Sequence, residues 1–310
     1  MISKLREDDL VDLAREVKEK YRFDLLLKSH VNGIGLGTWK RKGTDTSVPC
    51  IVVYVYPKVP QETLHPADRI PPAIDGILTD VVEMAATEAP IRKSGTVADP
   101  ETIKRHRPAP CGVSVGHYQL QGAGTLSSWV EYKGELLLMS SWHILTNFGK
   151  AKRGDPILQP ALVDGGCVKR DTIAYLQEWT DVKMLGPTLG EAKSNLKALI
   201  DQGKTLPLNY IDVALAKPIS EDVVSHEILH AGRQEVFESR IGIGDGIIQV
   251  GRTSGLVQGR ISAIDVDMFI KYRTEVALFL DVVTTSPGIK PGDSGSPVLM
   301  QARPYFIKKR

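Results

Sequence analysis

The spacing of apolar and polar positions is helical at the start of the chain and strand-like in most of the rest. Residues 8–27 place apolar side chains at intervals of three and four with charged residues between them, which predicts an amphipathic helix. Two β-type runs follow, and the polar, Gly-containing stretch KRKGTDTS between them predicts a hairpin. A further strand is predicted over residues 77–84. We therefore expect a small α+β domain over residues 1–90.

The pattern after residue 90 is different. Residues 91–111 are polar and Pro-rich, which is typical of a linker between domains. From residue 112 onward, short apolar runs alternate with Gly, Asn, Asp and Pro, and this spacing predicts an all-β sandwich or barrel over residues 112–310. One helical pattern, at residues 189–202, interrupts the strands.

Three glycines, Gly33, Gly35 and Gly37, form a GxGxG sequence inside the first predicted strand. A dinucleotide-binding turn requires GxGxxG spacing followed directly by a helix, and neither condition is met. We expect these glycines to allow close packing of neighbouring strands.

Composition excludes several classes of function. The net charge of +2 in 310 residues gives no field that would attract nucleic acid or a membrane. The N-terminus is acidic where a secretory signal needs an apolar core, so a cytoplasmic protein is expected. The cysteines, Cys50, Cys111 and Cys167, are far apart, which indicates reduced and mostly buried thiols. No cofactor and no metal site are expected.

Three short motifs stand in the order His, Asp, Ser on the predicted β region. His143 ends an apolar strand in SSWHIL, Asp212 precedes an alternating strand in IDVALA, and Ser294 lies between glycines in PGDSGSP. A serine hydroxyl needs a base to take its proton, and a carboxylate fixes the tautomer of that histidine. The N–H groups of Gly292 and Ser294 would converge on the oxyanion that develops. The sequence thus predicts a His143/Asp212/Ser294 triad.

These motifs, together with VGRTSGLVQGRI, resemble those of the trypsin-like (chymotrypsin-fold) serine peptidases over about residues 112–300. With the N-terminal module and GDPILQPALVDGG, the chain is similar to bacterial relatives of the plant narrow-leaf-type serine proteases. The resemblance implies a mainly β fold, with a chymotrypsin-like double β-barrel preceded by the α+β domain. It implies a serine endopeptidase with a protein or peptide substrate, with His143 and Asp212 on the first lobe and Ser294 on the second.

One departure from the family concerns activation. In secreted trypsins a freshly cut N-terminal amine pairs with the aspartate before the nucleophile. Here that aspartate is Asp293, and a whole additional domain precedes the peptidase region. We therefore expect activity without zymogen cleavage.

The largest departure is the length of chain after the nucleophile. Only 16 residues follow Ser294, whereas family members continue through strands that form the specificity pocket, so the second barrel is expected to be incomplete at its C-terminus. Three explanations stay open. The chain is a truncated peptidase; the tail or a partner strand closes the barrel; or it is a non-catalytic pseudopeptidase. In the third case it acts as a protein-interaction module, through the N-terminal domain or the open barrel edge.

Overall fold

The computed structural model describes residues 7–41, 44–84, 87–89, 98–233 and 241–301, and these residues are mainly in strands. The helices are α1 (Glu7–Leu26), α2 (Trp142–Leu145), α3 (Val168–Asp171) and α4 (Leu189–Asp201). The strands are β1 (Val31–Arg41), β2 (Thr44–Val55), β3 (Ala73–Ile74), β4 (Ile77–Glu83), β5 (Thr87–Glu88), β6 (Ala109–Cys111), β7 (Ser114–His117), β8 (Gly124–Thr125), β9 (Ser128–Tyr132), β10 (Glu135–Ser140), β11 (Pro156–Leu158), β12 (Thr172–Trp179), β13 (Leu208–Asn209), β14 (Ala214–Pro218), β15 (Val224–Ile228), β16 (Gly232–Arg233), β17 (Gly246–Gly251), β18 (Gly255–Tyr272), β19 (Glu275–Ser286) and β20 (Val298–Met300).

The chain forms two compact units, and unit 1 takes its described residues from 1–89, 182–211 and 262–285. Its sheet has the strand order β13-β19-β18-β1-β2-β4-β3. Ala14 and Val17 of α1 and Leu196 of α4 share one buried apolar core with the sheet residues Ile34 and Leu278. The predicted amphipathic helix, the β1–β2 hairpin and the strand from residue 77 are confirmed.

Unit 1 differs in extent from the continuous domain expected over residues 1–90. Two segments that the sequence analysis assigned to 112–310 lie in the same compact unit as residues 1–89. The reason is strand pairing: β1 pairs with the second part of β18, through Gly33 opposite Met268, and α4 supplies buried side chains to the shared core. The pattern at 189–202 is confirmed as a helix, but its partners come from elsewhere in the sequence.

The GxGxG glycines of β1 are sites of close strand packing, as predicted. A Cβ atom at Gly33 would lie 2.8 Å from the backbone oxygen of Asp267, and one at Gly35 would lie 2.5 Å from a methyl group of Val266. One at Gly37 would meet Val52 at 2.5 Å. Only glycine fits at these positions, and the cause is packing.

Unit 2 contains the described residues of 90–181, 212–261 and 286–310. A seven-stranded sheet has the order β8-β7-β11-β12-β14-β10-β9, β15 pairs with both β6 and β16, and β17 pairs with β20 and with the first residues of β18. Apolar side chains from these elements form a separate core that includes Leu138, Ile144, Ile157, Ala216 and Val250. The predicted fold class, mainly β with barrel-like sheets after an N-terminal helix, is confirmed.

The segment expected to be a linker is packed where the structure describes it. Residues 91–97 lie outside the described residues. Of the rest, Thr102 and Ala109 are fully buried, and Ala109–Cys111 forms a strand beside β15. Its hydrogen bonds to the rest of unit 2, including one from Thr102 Oγ1 to the Arg252 carbonyl, explain why a Pro-rich sequence is ordered here.

Among the described helices, none combines the length and the apolar character that a membrane span requires. The longest of them, α1, has 20 residues and carries charged side chains along its length.

Candidate active site

His143 and Asp212 are brought together by the pairing of two adjacent strands. His143 lies in the short helix α2 directly after β10, and Asp212 lies two residues before Ala214, where β14 begins. Because β10 and β14 are antiparallel and pair Ser140 with Ala214, the end of one strand meets the start of the other. Asp212 Oδ2 lies 2.7 Å from His143 Nδ1, and Asp212 Oδ1 accepts a hydrogen bond from the His143 backbone N–H at 3.3 Å.

The burial of this pair is uneven. The His143 side chain is 4% exposed, whereas the Asp212 side chain is 20% exposed, so the carboxylate is less buried than the imidazole. The preceding residues Tyr210 and Ile211 are themselves exposed. When Nδ1–H donates to the carboxylate, the other ring nitrogen, Nε2, carries a lone pair and is able to accept a proton.

Ser294 lies in a turn between β19 and β20 and is buried. Its carbonyl oxygen accepts a hydrogen bond from the Thr125 N–H at 2.8 Å. The next residue, Gly295, has a φ of +86°, and a Cβ there would lie 2.3 Å from Ser140 Oγ and 3.2 Å from the Ser141 nitrogen. The Ser294 turn therefore packs against the residues that lead into the His143 helix.

Gly292 has a backbone conformation that favours glycine. Its φ is +103°, and the residue is buried. Its carbonyl accepts a hydrogen bond from Thr125 Oγ1 at 3.0 Å. Within the described residues, its N–H donates no hydrogen bond. Buried backbone N–H groups are nearly always paired, so a donor without an acceptor among the described residues is a candidate for binding a ligand.

Asp293 ties the Ser294 turn to residues 253 and 254 through its carboxylate. The carboxylate is almost completely buried and accepts four hydrogen bonds. Oδ1 takes the backbone N–H groups of Thr253 at 2.8 Å and Ser254 at 3.0 Å, and Oδ2 takes Ser254 Oγ at 2.7 Å and the Lys290 N–H at 3.0 Å. A carboxylate with four donors is satisfied. An N-terminal amine is not needed to hold it in place.

Sequence reasoning missed the residues that support this turn. Thr125 contacts it twice, through its backbone and its hydroxyl, and also accepts the Arg252 N–H at 2.9 Å. Arg252 is fully buried and forms a two-point ion pair with Asp164, whose Oδ2 also accepts from Ser114 Oγ. The sequence analysis uses VGRTSGLVQGRI only for the family resemblance and assigns no role to Thr125, Arg252 or Asp164. An arginine within an otherwise apolar and small-residue segment was the available signal.

Neither a protein-family model nor a curated protein matches the chain. Solved structures to which it is similar include protease A of Thermobifida fusca, with 12% identity and a TM-score of 0.38 over 61% of this chain and 76% of that one. The chymotrypsin of Cellulomonas bogoriensis has 13% identity and a TM-score of 0.37 over 61% and 76% of the two chains. A protease of Nocardiopsis has 15% identity and a TM-score of 0.38 over 62% and 78%.

Proposed function

We propose that this protein is a serine endopeptidase that cleaves peptide bonds through an acyl-enzyme on Ser294, with His143 as general base and Asp212 as the carboxylate that orients it. The observation that carries the proposal is the double hydrogen bond from His143 to Asp212. It is supported by the packing of the glycine-flanked Ser294 turn against Ser140 and Ser141.

The proposed reaction follows from these contacts. His143 Nε2 takes the proton of Ser294 Oγ as that oxygen attacks the scissile carbonyl carbon, and the carbonyl oxygen becomes an oxyanion. The N–H groups of Gly292 and Ser294 stabilise its charge, and each such donor typically contributes roughly 2.7–4 kcal/mol in the transition state. His143 then gives the proton to the leaving amine as the C–N bond breaks. In the second half, His143 takes a proton from water as the water oxygen attacks the ester carbon. The C–O bond to Ser294 then breaks, and His143 returns the proton to Ser294 Oγ.

The narrower relationship, to bacterial relatives of the plant narrow-leaf-type serine proteases, forms part of this proposal. It is supported by the segment GDPILQPALVDGG, which here builds β11 and supplies Asp164 to the Arg252 ion pair. In this role the segment buttresses the Ser294 turn through Arg252.

A fluorophosphonate probe tests the proposal directly. We expect folded wild-type protein to form a covalent adduct on Ser294 and Ser294→Ala to form none. Ser220→Ala is the matched control, because Ser220 is exposed and its side chain makes no capping hydrogen bond to the short helical turn that follows it. An unlabelled but folded wild-type protein would refute the endopeptidase and favour the interaction module built on a peptidase scaffold. That alternative expects Ser294→Ala to keep its biological effect.

A further inference from the structure

The peptide group between Pro291 and Gly292 is fixed by a side chain outside the turn. The Pro291 carbonyl accepts a hydrogen bond from Thr253 Oγ1 at 2.7 Å. This peptide bond is trans, so its N–H points in the direction opposite to its carbonyl. The hydrogen bond that holds the Pro291 oxygen toward Thr253 therefore directs the Gly292 N–H away from Thr253. Among the described residues, that N–H has no acceptor.

Arg252 determines that the Thr253 hydroxyl donates its hydrogen bond to Pro291. Arg252 Nη1 lies 3.1 Å from Thr253 Oγ1, and a guanidinium has donors but no acceptor. Thr253 must therefore accept from Arg252, and its single proton is left for the Pro291 oxygen. Arg252 has no freedom to move, because it is fully buried and both Nε and Nη2 donate to Asp164, with Nε at 2.8 Å. The contacts form a directional chain from Asp164 to the Gly292 peptide.

Gly292 lies close to the side chains of Thr253 and Arg252. A Cβ at Gly292 would lie 2.3 Å from Thr253 Oγ1 and 3.4 Å from Arg252 Nη1. Together with its φ of +103°, this makes glycine necessary for contact with Thr253, and not only for the turn.

From these contacts we infer that Thr253 is the positioning residue for the oxyanion donor. Its hydroxyl, oriented by Arg252 and Asp164, turns the Pro291–Gly292 peptide so that the Gly292 N–H faces the oxyanion. The inference rests on the proposed function for its catalytic consequence, but the orientation of the peptide is a structural statement that stands by itself.

The test replaces the hydroxyl and follows both rate and structure. Thr253→Val keeps the shape and removes the donor, and Thr253→Ser keeps the donor. Thr253→Ala is a second hydroxyl-free variant that adds no methyl group facing Pro291, in case the valine variant does not fold. Thr172→Val is the matched control, since its hydroxyl donates to the Val168 carbonyl, outside this turn. Steady-state kinetics on an activated ester and crystal structures of each variant are the readouts.

We expect Thr253→Val to lower kcat about 10²–10³-fold with KM nearly unchanged, the effect of losing one oxyanion donor. Thr253→Ser should retain most of the rate. Crystals of the valine or alanine variant should show the Pro291–Gly292 peptide turned from its wild-type orientation. Wild-type kcat in both hydroxyl-free variants, or an unturned peptide, would overturn the inference.

Failure of the proposed function has a different signature. If wild-type protein neither hydrolyses the ester nor reacts with the fluorophosphonate, the endopeptidase proposal fails. The crystal structures then decide the inference alone: a turned peptide in Thr253→Val with a wild-type orientation in Thr253→Ser supports it, and the same orientation in all variants refutes it.

Discussion

The Asp212 carboxylate receives two hydrogen bonds from one residue, His143, through its ring nitrogen Nδ1 at 2.7 Å and through its backbone N–H at 3.3 Å. The backbone bond fixes the carboxylate relative to the start of α2, and the ring bond then fixes the imidazole relative to the carboxylate. The histidine is thus oriented by its own main chain through Asp212. A side chain held at two points in this way loses little further freedom when a substrate binds.

Replacing Asp212 with asparagine tests this orientation. In Asp212→Asn the amide NH₂ group, if it faces Nδ1, favours the tautomer with the proton on Nε2, which is unable to accept from Ser294. We expect kcat to fall about 10⁴-fold, as for other triads with the wrong tautomer. Ester hydrolysis and unfolding in urea measure rate and stability separately.

The matched control for this variant is Asp222→Asn. Asp222 is also in unit 2, is exposed and precedes β15, so its loss should leave the rate unchanged. A rate for Asp212→Asn within about tenfold of wild type, against the 10⁴-fold loss that a misoriented base produces, would mean that Asp212 is not the orienting carboxylate.

The buried carboxylate of Asp293 gives a prediction on stability. Asp293→Asn retains the volume but turns an NH₂ group toward backbone N–H donors, so at least one of the four hydrogen bonds is lost. Bonds to a charged acceptor contribute about 1.5–3 kcal/mol each, so we expect the free energy of unfolding to fall by about 2–3 kcal/mol. Urea denaturation measures it, and Asp222→Asn serves again as the exposed control. An unchanged free energy would contradict the clamp.

The same clamp bears on activation. Because donors from this chain satisfy Asp293, we expect active protein to retain the residues before 112, without zymogen cleavage. N-terminal sequencing of probe-labelled material checks this. Active material that begins near residue 112 would contradict it.

The three cysteines should differ in reactivity. Cys50 and Cys111 are buried, and Cys167 is exposed. Burial raises the pKa of the Cys111 thiol to about 11, so at pH 8 only about one molecule in 10³ carries the thiolate there. We expect iodoacetamide to modify Cys167 alone in the folded protein and all three cysteines in urea. Modification of folded Cys167→Ser would disprove this order.

Lys193 on α4 makes stability depend on pH. Burial lowers its pKa to about 8, opposed by the nearby Asp68 charge, and Nζ donates to the Lys28 carbonyl. Between about pH 8 and 10.5 the folded protein has lost this proton while the unfolded chain retains it. The unfolded state then binds more protons, so the free energy of unfolding rises with pH in this window.

We therefore expect Lys193→Met to remove that rise. It should also raise the free energy of unfolding at pH 7 by about 1 kcal/mol, a figure reduced from the full pKa difference because the side chain is partly exposed. The control is Lys197→Met on the same helix, where the lysine is exposed and pairs with Asp201. Parallel pH profiles for wild type and Lys193→Met would contradict the prediction.

Local patterns in the sequence were sufficient for α1, the β1–β2 hairpin and α4, and the order of the motifs was sufficient to expect His143 beside Asp212. The periodicity of residues 8–27 decides α1 because its apolar stripe has one possible use, burial against a sheet. His143 and Asp212 end up adjacent because each lies at the end of a strand, and the ends of neighbouring antiparallel strands meet. Elements and strand ends are recorded in short stretches of sequence.

The supporting contacts were not recorded in this way. The hydroxyl groups of Thr253 and Thr125 donate to carbonyl groups that lie 38 and 167 residues away in the sequence. No local pattern marks a threonine whose proton is directed by a buried arginine. The assignment of 262–285 to unit 1 has the same origin, since strand register against β1 depends on side-chain fit across the sheet and not on alternation within one strand.

The division of unit 1 into three stretches of sequence has a consequence for synthesis. Its core joins side chains of α1 and β1 to Leu196 of α4 and Leu278 and Leu280 of β19. β1 ends at Arg41 and β19 begins at Glu275, so a ribosome delivers β19 more than 230 residues after β1 and the first part of the unit leaves the exit tunnel long before its partners exist. During that interval the apolar stripe of α1 and one face of its hairpin are open to chaperones, and the rate of translation sets how long they wait.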